Sequence, residues 1–582
     1  MNQNWFEMND IRRKNFGKSV WIPLRAVYCN EYTGKYGFEG YKKDFVGSGC
    51  IAVPTNKKEF AEKLSWNNIG IKNYHSGFYD NGKYYPVDIY EDYRNKFECI
   101  YLVLNQQLIS EHPNVWHLHQ DIVITLGLQR EGDIWICPED GYTEVARLRK
   151  DGERPILMEI KSQYLKDYLC ARDMGLYITS FFSRDAIVSD ASFINWDNGK
   201  KFDGTESNRW EGRVIPIHEG GKLFGGKMSI FHMSRIDIDA TDDVPDISGL
   251  PSNDNTKSES RERVFEGKKL YRILGELWRN EWIEPSIYSP KVKGDEIQSA
   301  VYFIIDAEGS KVKGNCLVDS GRWLWFKPDI IMALSHRRGG SLEFYTQNTG
   351  FVASSIGDNV HFGINMLGYV NVYAEDVGML SEWQQQIWAS YNIVPDGGVS
   401  DELLASQVRA EPADTRAPET FFGQGIELIN EISTQKLNFS LFRHHEIVPD
   451  LLSKVHRFRA VDESGLFALA KDIARLTADS LDIDAMQKIV APPKGTKWGS
   501  LKSLENLLAS KIEPHDARLT MSALVGAYKL RLADAHLPSS EINEAFNLMN
   551  IDRNLPMIFQ AYQMLCSCVS SLFTVLEVLK RW

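Results

Sequence analysis

The chain has 582 residues, of which 43% are hydrophobic and 25% are charged, so extensive disorder is excluded. A formal net charge of −12 argues against a protein held on nucleic acid by overall charge, but not against a local basic site. The eight cysteines are scattered and form no C-x-x-C pair, which argues against a disulfide scaffold or a zinc ribbon. The N-terminal residues lack the apolar core of a signal peptide, so we expect a cytoplasmic protein.

The first 236 residues are rich in aromatic and β-branched residues and predict a mixed α/β domain. The predicted strands are residues 19–28, 97–104, 121–126 and 154–160, and the predicted helices are 57–64 and 163–171. Residues 237–263 are acidic and then rich in serine and asparagine, with few aliphatic side chains. That composition predicts a linker or a mobile loop.

Residues 264–394 predict a second α/β domain. Its predicted strands are residues 300–306, 313–317, 323–326, 341–346 and 369–373, and a helix is predicted over 381–389. Residues 395–419 contain two Pro-rich stretches around a short helical segment at 401–408, and they predict a second linker.

From residue 420 to the end, helical periodicity dominates and predicts an all-α domain. The predicted helices are residues 420–434, 449–458, 465–476, 483–489, 500–508, 516–535, 540–549 and 556–579. This region has 18 basic and 18 acidic residues, so the acidity of the chain lies in the first 420 residues. Residues 554–576 carry no charge but are too polar for a lone membrane span, which favours a helix buried in a bundle or a dimer.

The strongest chemical signal is an R-x(4)-H pattern formed by Arg531 and His536 at the end of predicted helix 516–535. Both residues border the apolar stripe of that helix, on opposite sides, and Pro538 predicts that the helix stops near His536. A histidine can act as general acid or base at neutral pH, and an arginine can bind phosphate oxygens with its planar fork. The pattern therefore favours cleavage of a phosphodiester.

Five positions on a helix differ by about 140°, so Arg531 and His536 do not share one face of a regular helix. Either the helix end frays, or a second copy of the chain completes the site. Asp534, between the two, is an accessory candidate that could equally be a solvated side chain.

On these residues, the C-terminal region resembles a HEPN domain, the helical ribonuclease fold of bacterial defence and toxin proteins. Arg531 and His536 match the R-x(4–6)-H motif of that family, and the resemblance covers about the last 120 to 160 residues. It implies metal-independent RNA cleavage in a site completed by dimerisation. It also implies that the preceding residues act as a sensor, as in abortive-infection proteins.

A second candidate is Glu159 and Lys161, an E-x-K pattern after a predicted strand, as in Mg²⁺-dependent PD-(D/E)xK nucleases. Asp133 and Asp151 are the upstream acids that could complete such a site, although a solvated strand end is the more common reason for this tripeptide. A third is His117 and His119, which could share one face of a strand. Asp121 would extend the same alternation.

No P-loop, G-x-G-x-x-G or G-x-S-x-G motif is present, so ATP binding, dinucleotide binding and the usual serine-hydrolase site have no support and we expect no cofactor. No further Cys/His ligand cluster accompanies His117 and His119, so we expect no resident metal. The sequence predicts an anti-phage defence protein that cleaves RNA (tRNA or mRNA) with its helical domain. A phage protein or a small molecule would trigger it through the N-terminal region. The alternatives are a non-catalytic ligand- or partner-binding protein whose helical domain only dimerises, and a Mg²⁺ nuclease using Glu159 and Lys161.

We also expect a homodimer or higher homo-oligomer without membrane contact, because the last predicted helix has more apolar residues than a peripheral helix needs. Those residues are Met557, Ile558, Met564, Leu565, Val569, Leu572, Phe573, Leu576 and Leu579.

Overall fold

In the computed structural model the chain forms two compact units, Met1–Ile297 and Gln298–Trp582. The structure describes residues 2–70, 78–80, 82–85, 89–92, 97–106, 115–205, 208–220, 227–235, 256–264, 267–296, 300–411, 413–531 and 539–582. The chain is a multidomain α/β protein in which sheets come first and a helical region comes last.

The first unit is mainly β-structure. Its strands are β1 (Trp21–Thr33), β2 (Lys42–Pro54), β3 (Phe78–Asp80), β4 (Lys83–Tyr85), β5 (Ile89–Asp92), β6 (Phe97–Ile100), β7 (Val103–Gln106), β8 (Val115–Leu118), β9 (Gln129–Glu131), β10 (Ile134–Cys137), β11 (Thr143–Asp151), β12 (Arg154–Lys161), β13 (Met174–Val188), β14 (Lys200–Gly204), β15 (Asn208–His218), β16 (Lys227–Arg235), β17 (Thr256–Val264) and β18 (Lys269–Ile283). Its helices are α1 (Gln3–Glu7), α2 (Asn9–Arg12), α3 (Lys58–Ala61), α4 (Trp66–Ile69), α5 (Gln120–Thr125) and α6 (Ser162–Ala171).

Twelve of these strands form one antiparallel sheet, in the order β14-β15-β18-β13-β2-β1-β12-β11-β10-β9, with β6 on β2 and β5 on β6. Helix α6 packs on this sheet through Leu165, Tyr168 and Leu169, which are all buried. Most residues of the long central strands β2 and β13 are buried, and their apolar side chains contribute to several separate hydrophobic clusters.

The predicted strand at 121–126 is wrong, because residues 121–125 lie in helix α5 and Leu126 directly follows it. The β-branched run Ile-Val-Ile is typical of a strand. His119 caps the helix instead, since its Nδ1 accepts a hydrogen bond from the Asp121 N–H at 3.1 Å. Predicted strands 19–28 and 154–160 correspond to β1 and β12, and predicted helix 163–171 corresponds to α6.

Part of the linker predicted at 237–263 is a strand. Residues 256–263 belong to β17, which pairs with β16 along its whole length, so backbone hydrogen bonds order a polar sequence that has little to bury. The following strand, β18, lies between β13 and β15 in the large sheet and belongs to the first unit. The predicted start of the middle domain at residue 264 is therefore wrong. Residues 237–255 lie outside the described residues.

The second unit combines a small sheet with a helical region. Its strands are β19 (Tyr302–Ile304), β20 (Lys311–Lys313), β21 (Trp323–Phe326), β22 (Ser341–Phe344), β23 (Thr349–Ala353), β24 (Asn359–Ile364), β25 (Val370–Tyr373) and β26 (Asn392–Ile393). Its helices are α7 (Asp329–Ser335), α8 (Ala374–Gly378), α9 (Glu382–Tyr391), α10 (Asp401–Gln407), α11 (Pro418–Leu437), α12 (Val448–Leu452), α13 (Glu463–Leu476), α14 (Ile483–Ile489), α15 (Ser500–Ala509), α16 (Pro514–Leu530), α17 (Ser539–Leu548) and α18 (Met557–Leu579).

Six strands form an antiparallel sheet in the order β22-β23-β24-β25-β21-β26. The predicted strand at 313–317 is wrong beyond its first residue, because β20 ends at Lys313 and a 3₁₀ turn, Gly314–Cys316, follows. A Cβ atom at Gly314 would lie 1.9 Å from Gln385 Oε1, so this turn packs tightly against α9. The turn buries Leu317 in the core of the sheet.

The predicted helices after residue 420 all have counterparts in α11 to α18, but the predicted helix 449–458 is interrupted. Helix α12 ends at Leu452, and a separate 3₁₀ turn, Arg457–Arg459, follows. Its Phe458 side chain belongs to the apolar core of the six-stranded sheet, together with Ile558 from α18. The small sheet and the helical region therefore share one core within this unit.

Helix α18 is the central helix of the bundle and packs against α11, α13, α15 and α16. By length and composition it could cross a membrane, but half of its most apolar window is buried, as in the core helix of a soluble protein. Of the apolar residues from which we predicted a dimer, six are buried within the chain: Ile558, Met564, Leu565, Leu572, Leu576 and Leu579. These side chains are buried within one copy of the chain, so they are not available to form a dimer interface. The dimer stays a prediction.

Candidate functional site

Helix α16 places Arg531 at a defined position at the end of the bundle. The helix starts with Pro514 in its first turn and buries Met521, Leu524 and Ala527. A Cβ atom at Gly526 would lie 2.9 Å from the Ala545 carbonyl oxygen, so glycine permits the close approach of α17. The helix ends at Leu530, five residues before the predicted end.

The Arg531 guanidinium is held by a carboxylate and an aromatic ring. Its Nη1 atom donates to both oxygens of Asp479, at 2.6 and 2.5 Å. The guanidinium also lies over the Tyr528 ring, with its central carbon 3.9 Å from the ring centroid. Only 20% of the Arg531 side chain is exposed, against 43% for Asp479.

Asp479 is itself held close to the end of α13. Its backbone N–H donates to the Ala474 carbonyl at 3.0 Å, and the preceding residues Leu476 and Ala478 are buried. Helix α13 packs directly on α16, so the two ends that carry Asp479 and Arg531 come from adjacent core helices. Their contact joins residues that are 52 positions apart in the chain.

His536 and Asp534, the other two residues of the predicted site, lie in 532–538 and therefore outside the described residues. Their geometry relative to Arg531 stays a prediction. Among the described residues, Nε and Nη2 of Arg531 have no hydrogen-bond partner. Within the described part of the chain, the guanidinium is therefore anchored at one corner, Nη1.

Glu159 and Lys161 lie at the end of β12, just before α6, as the E-x-K pattern predicts. The Glu159 carboxylate is buried and accepts from Arg147 Nε at 3.0 Å, and Arg149 Nε lies 3.2 Å from the same oxygen. Both guanidinium groups therefore lie against Oε2 of Glu159, and a metal ion at this oxygen would face two positive charges. Burial lowers the pKa of Lys161.

The two upstream acids, Asp133 and Asp151, have partners other than Glu159. Asp133 is paired with Lys150 at 2.6 Å and lies 3.9 Å from Arg130. Asp151 is the last residue of β11 and pairs in register with Arg154 across the hairpin. Among the described residues, no group of three or more His, Cys, Asp or Glu side chains could hold a metal ion.

The H-x-H pattern does not form one face of a strand, because β8 ends at Leu118. His117 lies on the strand, with its Nε2 3.3 Å from Gln106 Oε1, whereas His119 caps α5. Asp121 is engaged by Arg172 through two hydrogen bonds of 2.7 Å and by the Tyr168 hydroxyl. These hydrogen bonds from Arg172 hold the pKa of the Asp121 carboxyl below its usual value.

Sequence reasoning missed a buried polar cluster at the 3₁₀ turn Arg457–Arg459. Arg457 is fully buried and donates to both oxygens of Glu419, at 2.7 and 2.9 Å, while its guanidinium lies over Tyr562. Burial alone would raise the pKa of Glu419, but the charge and hydrogen bonds of Arg457 lower it. The pair joins the first turn of α11 to the turn that inserts Phe458 into the sheet core.

The residue before this turn, His456, is only 4% exposed, and neither ring nitrogen has a hydrogen-bond partner in the described part of the chain. Its ring centroid lies 6.2 Å from that of His336, at the end of α7. Burial lowers the pKa of His456 to about 4. Arg459 and Asp472, whose nearest atoms are 3.5 Å apart, complete the cluster.

No sequence motif marks these residues, since they come from α7, α11, α13 and the 3₁₀ turn. A single signal was available, the H-R-F-R tetrapeptide at 456–459, in which charged and aromatic residues alternate inside an otherwise helical region. No family model, no curated protein and no solved structure matches the chain.

Proposed function

We propose that this protein is an anti-phage defence ribonuclease whose helical region cleaves RNA without a metal ion, using Arg531 and His536. The observation that carries the proposal is the state of Arg531. It follows the last residue of a core helix, it is held by Asp479 and Tyr528, and one edge of its guanidinium remains uncommitted among the described residues. The resemblance of the R-x(4)-H pattern to that of HEPN ribonucleases supplies the role of His536.

The proposed reaction uses the 2′-hydroxyl that distinguishes RNA from DNA. The 2′-oxygen attacks the adjacent phosphorus, the bond to the 5′-oxygen breaks, and a 2′,3′-cyclic phosphate forms. The 2′-hydroxyl loses its proton as its oxygen attacks, and the 5′-oxygen takes up a proton as it leaves. His536 mediates this proton transfer, a contribution of about 10²–10⁴-fold in typical enzymes. Arg531 stabilises the negative charge that builds up on the non-bridging oxygens.

An arginine is better suited to this role than a lysine. Nε and Nη2 form a planar pair of donors that matches two phosphate oxygens, whereas an ammonium group is a point charge. Arg531 also stacks on Tyr528. Arg531→Lys would keep the charge but lose both the fork and the stacking, so we expect it to lose most of the activity.

The proposal assigns sensing to the preceding residues. An uncontrolled ribonuclease would harm its host, and more than 400 residues precede the proposed motif. A phage protein or a small molecule bound there would shift the population towards an active arrangement of the Arg531 and His536 sites. In this scheme the RNA substrate is tRNA or mRNA, and two copies of the chain complete the site.

The test is protection of bacteria against phage, measured by plaque formation in strains that express the chain. The wild-type protein should reduce plaque numbers, and His536→Ala and Arg531→Ala should each remove that protection at equal expression. Glu577→Ala serves as the matched control, since it removes an exposed charge on α18 that pairs with Lys580, just after the helix. Protection that is unchanged in His536→Ala would contradict the proposal and would favour a non-catalytic binding protein.

A further inference from the structure

We infer that Asp479 is the positioning residue for Arg531: it holds the guanidinium at one corner so that the opposite edge faces the scissile phosphate. This inference rests on the proposed function and adds a residue that the R-x(4)-H pattern does not contain.

The geometry at Arg531 supports positioning. Both Asp479 oxygens lie within 2.6 Å of the same nitrogen, Nη1, so the carboxylate takes one corner of the guanidinium and leaves Nε and Nη2 without partners in the described residues. The Tyr528 ring supports one face of the guanidinium at 3.9 Å. The contact with Asp479 fixes the direction of the guanidinium, and the contact with Tyr528 fixes its plane. The Arg531 side chain therefore loses little conformational entropy when a phosphate binds.

A competing role for Asp479 is an internal mimic of the phosphate that blocks Arg531 in the resting protein. A blocking carboxylate would be expected to occupy the Nε and Nη2 pair, which is a two-donor edge that a phosphate would use. Asp479 contacts neither of these atoms closely enough for a hydrogen bond. The observed contact therefore favours a residue that presents the arginine.

Asp479 also sets the local charge. Its carboxylate neutralises Arg531 and would lie close to the substrate phosphate, so it should weaken RNA binding at low salt while improving alignment. The two effects act on different kinetic constants. Alignment affects kcat, whereas charge affects KM and the dependence of KM on salt.

Two substitutions separate these effects in the full-length protein. Asp479→Asn keeps an oxygen that accepts from Nη1 but removes the charge, so we expect kcat within about threefold of wild type and a lower KM at low salt. Asp479→Ala removes both, so we expect kcat to fall about 10- to 100-fold, a loss typical of a misplaced catalytic group. Glu577→Ala, the same control as above, should change neither constant.

The outcomes are distinct. Wild-type kcat in Asp479→Ala, or a kcat above wild type, would overturn the positioning role, the second result indicating a blocking carboxylate instead. Cleavage that requires Arg531 but not Asp479 would leave the proposed function standing and refute only this inference. If the wild-type protein cleaves no RNA with or without phage infection, the proposed function fails, and the role of Asp479 in it fails too.

Discussion

His456 lies at a position where burial, rather than a charged partner, determines its protonation state. Its ring nitrogens lack partners in the described residues, and the charged or titratable groups that act on it include His336, just after α7, and Glu419 on α11. Arg457 and Arg459 add two positive charges on its own turn. Asp450 and Lys454 pair with each other on and just after α12. Burial is the largest effect and disfavours the protonated imidazole; His336, Arg459 and Arg457 disfavour it further, while the Glu419 carboxylate favours it.

This environment predicts that acid destabilises the second unit. The pKa of His456 is about 4 in the folded protein, below the unperturbed value of about 6.5, so the unfolded chain binds more protons between these values. Stability should therefore be complete above about pH 6.5 and fall as the pH falls towards 4. From pH 7.5 to pH 5 the loss attributable to this one group should be about 2 kcal/mol.

The measurement is urea-induced unfolding at these two pH values for wild type and His456→Leu. Leucine cannot protonate, so the variant should lose about 2 kcal/mol less than wild type on acidification. His444→Leu, at an exposed position, is the control and should behave as wild type. Equal pH dependence in wild type and His456→Leu would refute this prediction.

Arg531 could be found from the sequence because its partner in the motif lies five positions away. Asp479 could not, since its contact with Arg531 joins the ends of two helices and leaves no spacing to recognise. The same limit applies to the Arg457 and Glu419 pair, which is 38 positions apart. A pair of functional residues that are close in the sequence can be predicted from their spacing. A pair that is brought together by helix packing cannot.

At the scale of elements, helical periodicity located α11 to α18 within a few residues, because one apolar face must be buried in each. The secondary-structure predictions were wrong where contacts of individual side chains outweigh the periodicity of apolar residues. Strand-like residues 121–125 lie in α5 because His119 provides a cap, and predicted helix 449–458 is interrupted because Phe458 must enter the sheet core. Caps and core insertions depend on single side chains, and propensity over a window does not detect them.

Substitutions in helix α18 should destabilise the protein in proportion to the burial of the side chain that is removed. Leu572 is fully buried in the bundle, while Val569, on the same helix, is only partly buried beside Phe421 and Phe573. Leu572→Ala should therefore cost about 2–5 kcal/mol, and Val569→Ala about 1 kcal/mol or less. The midpoint of urea unfolding for the two variants checks this order, and a larger shift for Val569→Ala would contradict the placement of α18 at the centre.

Self-association remains a separate prediction. The six buried residues of α18 do not supply a dimer surface, so only its partly buried face, with Val569 and Phe573, is left on this helix to contribute. Sedimentation at micromolar concentration should show a dimer or larger species if two copies complete the site. A monomer with and without RNA would count against it.

At the scale of the whole molecule, the helical region is not independent of the small sheet. Phe458 stacks on Phe344 of β22 with ring centroids 6.0 Å apart, and Ile558 lies in the same core. The Glu419 partner of Arg457 also precedes residue 420. A fragment of residues 420–582 would therefore leave a buried arginine unpaired, a loss of about 3–5 kcal/mol, and would expose the apolar side chains of Phe458 and Ile558.

We accordingly predict that residues 298–582 form a folded fragment and residues 420–582 do not. The amide spectra of the two fragments in solution provide the measurement, with dispersed signals expected only from the longer one. A well-dispersed spectrum from residues 420–582 would contradict the shared core. The boundary matters for function, since only the longer fragment could be used to ask whether the first unit restrains the proposed ribonuclease.

The most direct measurement of the central claim is the chemistry of RNA cleaved by the full-length protein in the presence of EDTA. We predict cleavage that persists without a divalent metal, products ending in a 2′,3′-cyclic phosphate or its hydrolysed form, and no cleavage by His536→Ala. A substrate with a 2′-deoxy residue at the scissile position should resist. Loss of cleavage in EDTA would point instead to a metal-dependent site such as Glu159 and Lys161, and cleavage of the 2′-deoxy substrate or full activity in His536→Ala would contradict the proposed mechanism.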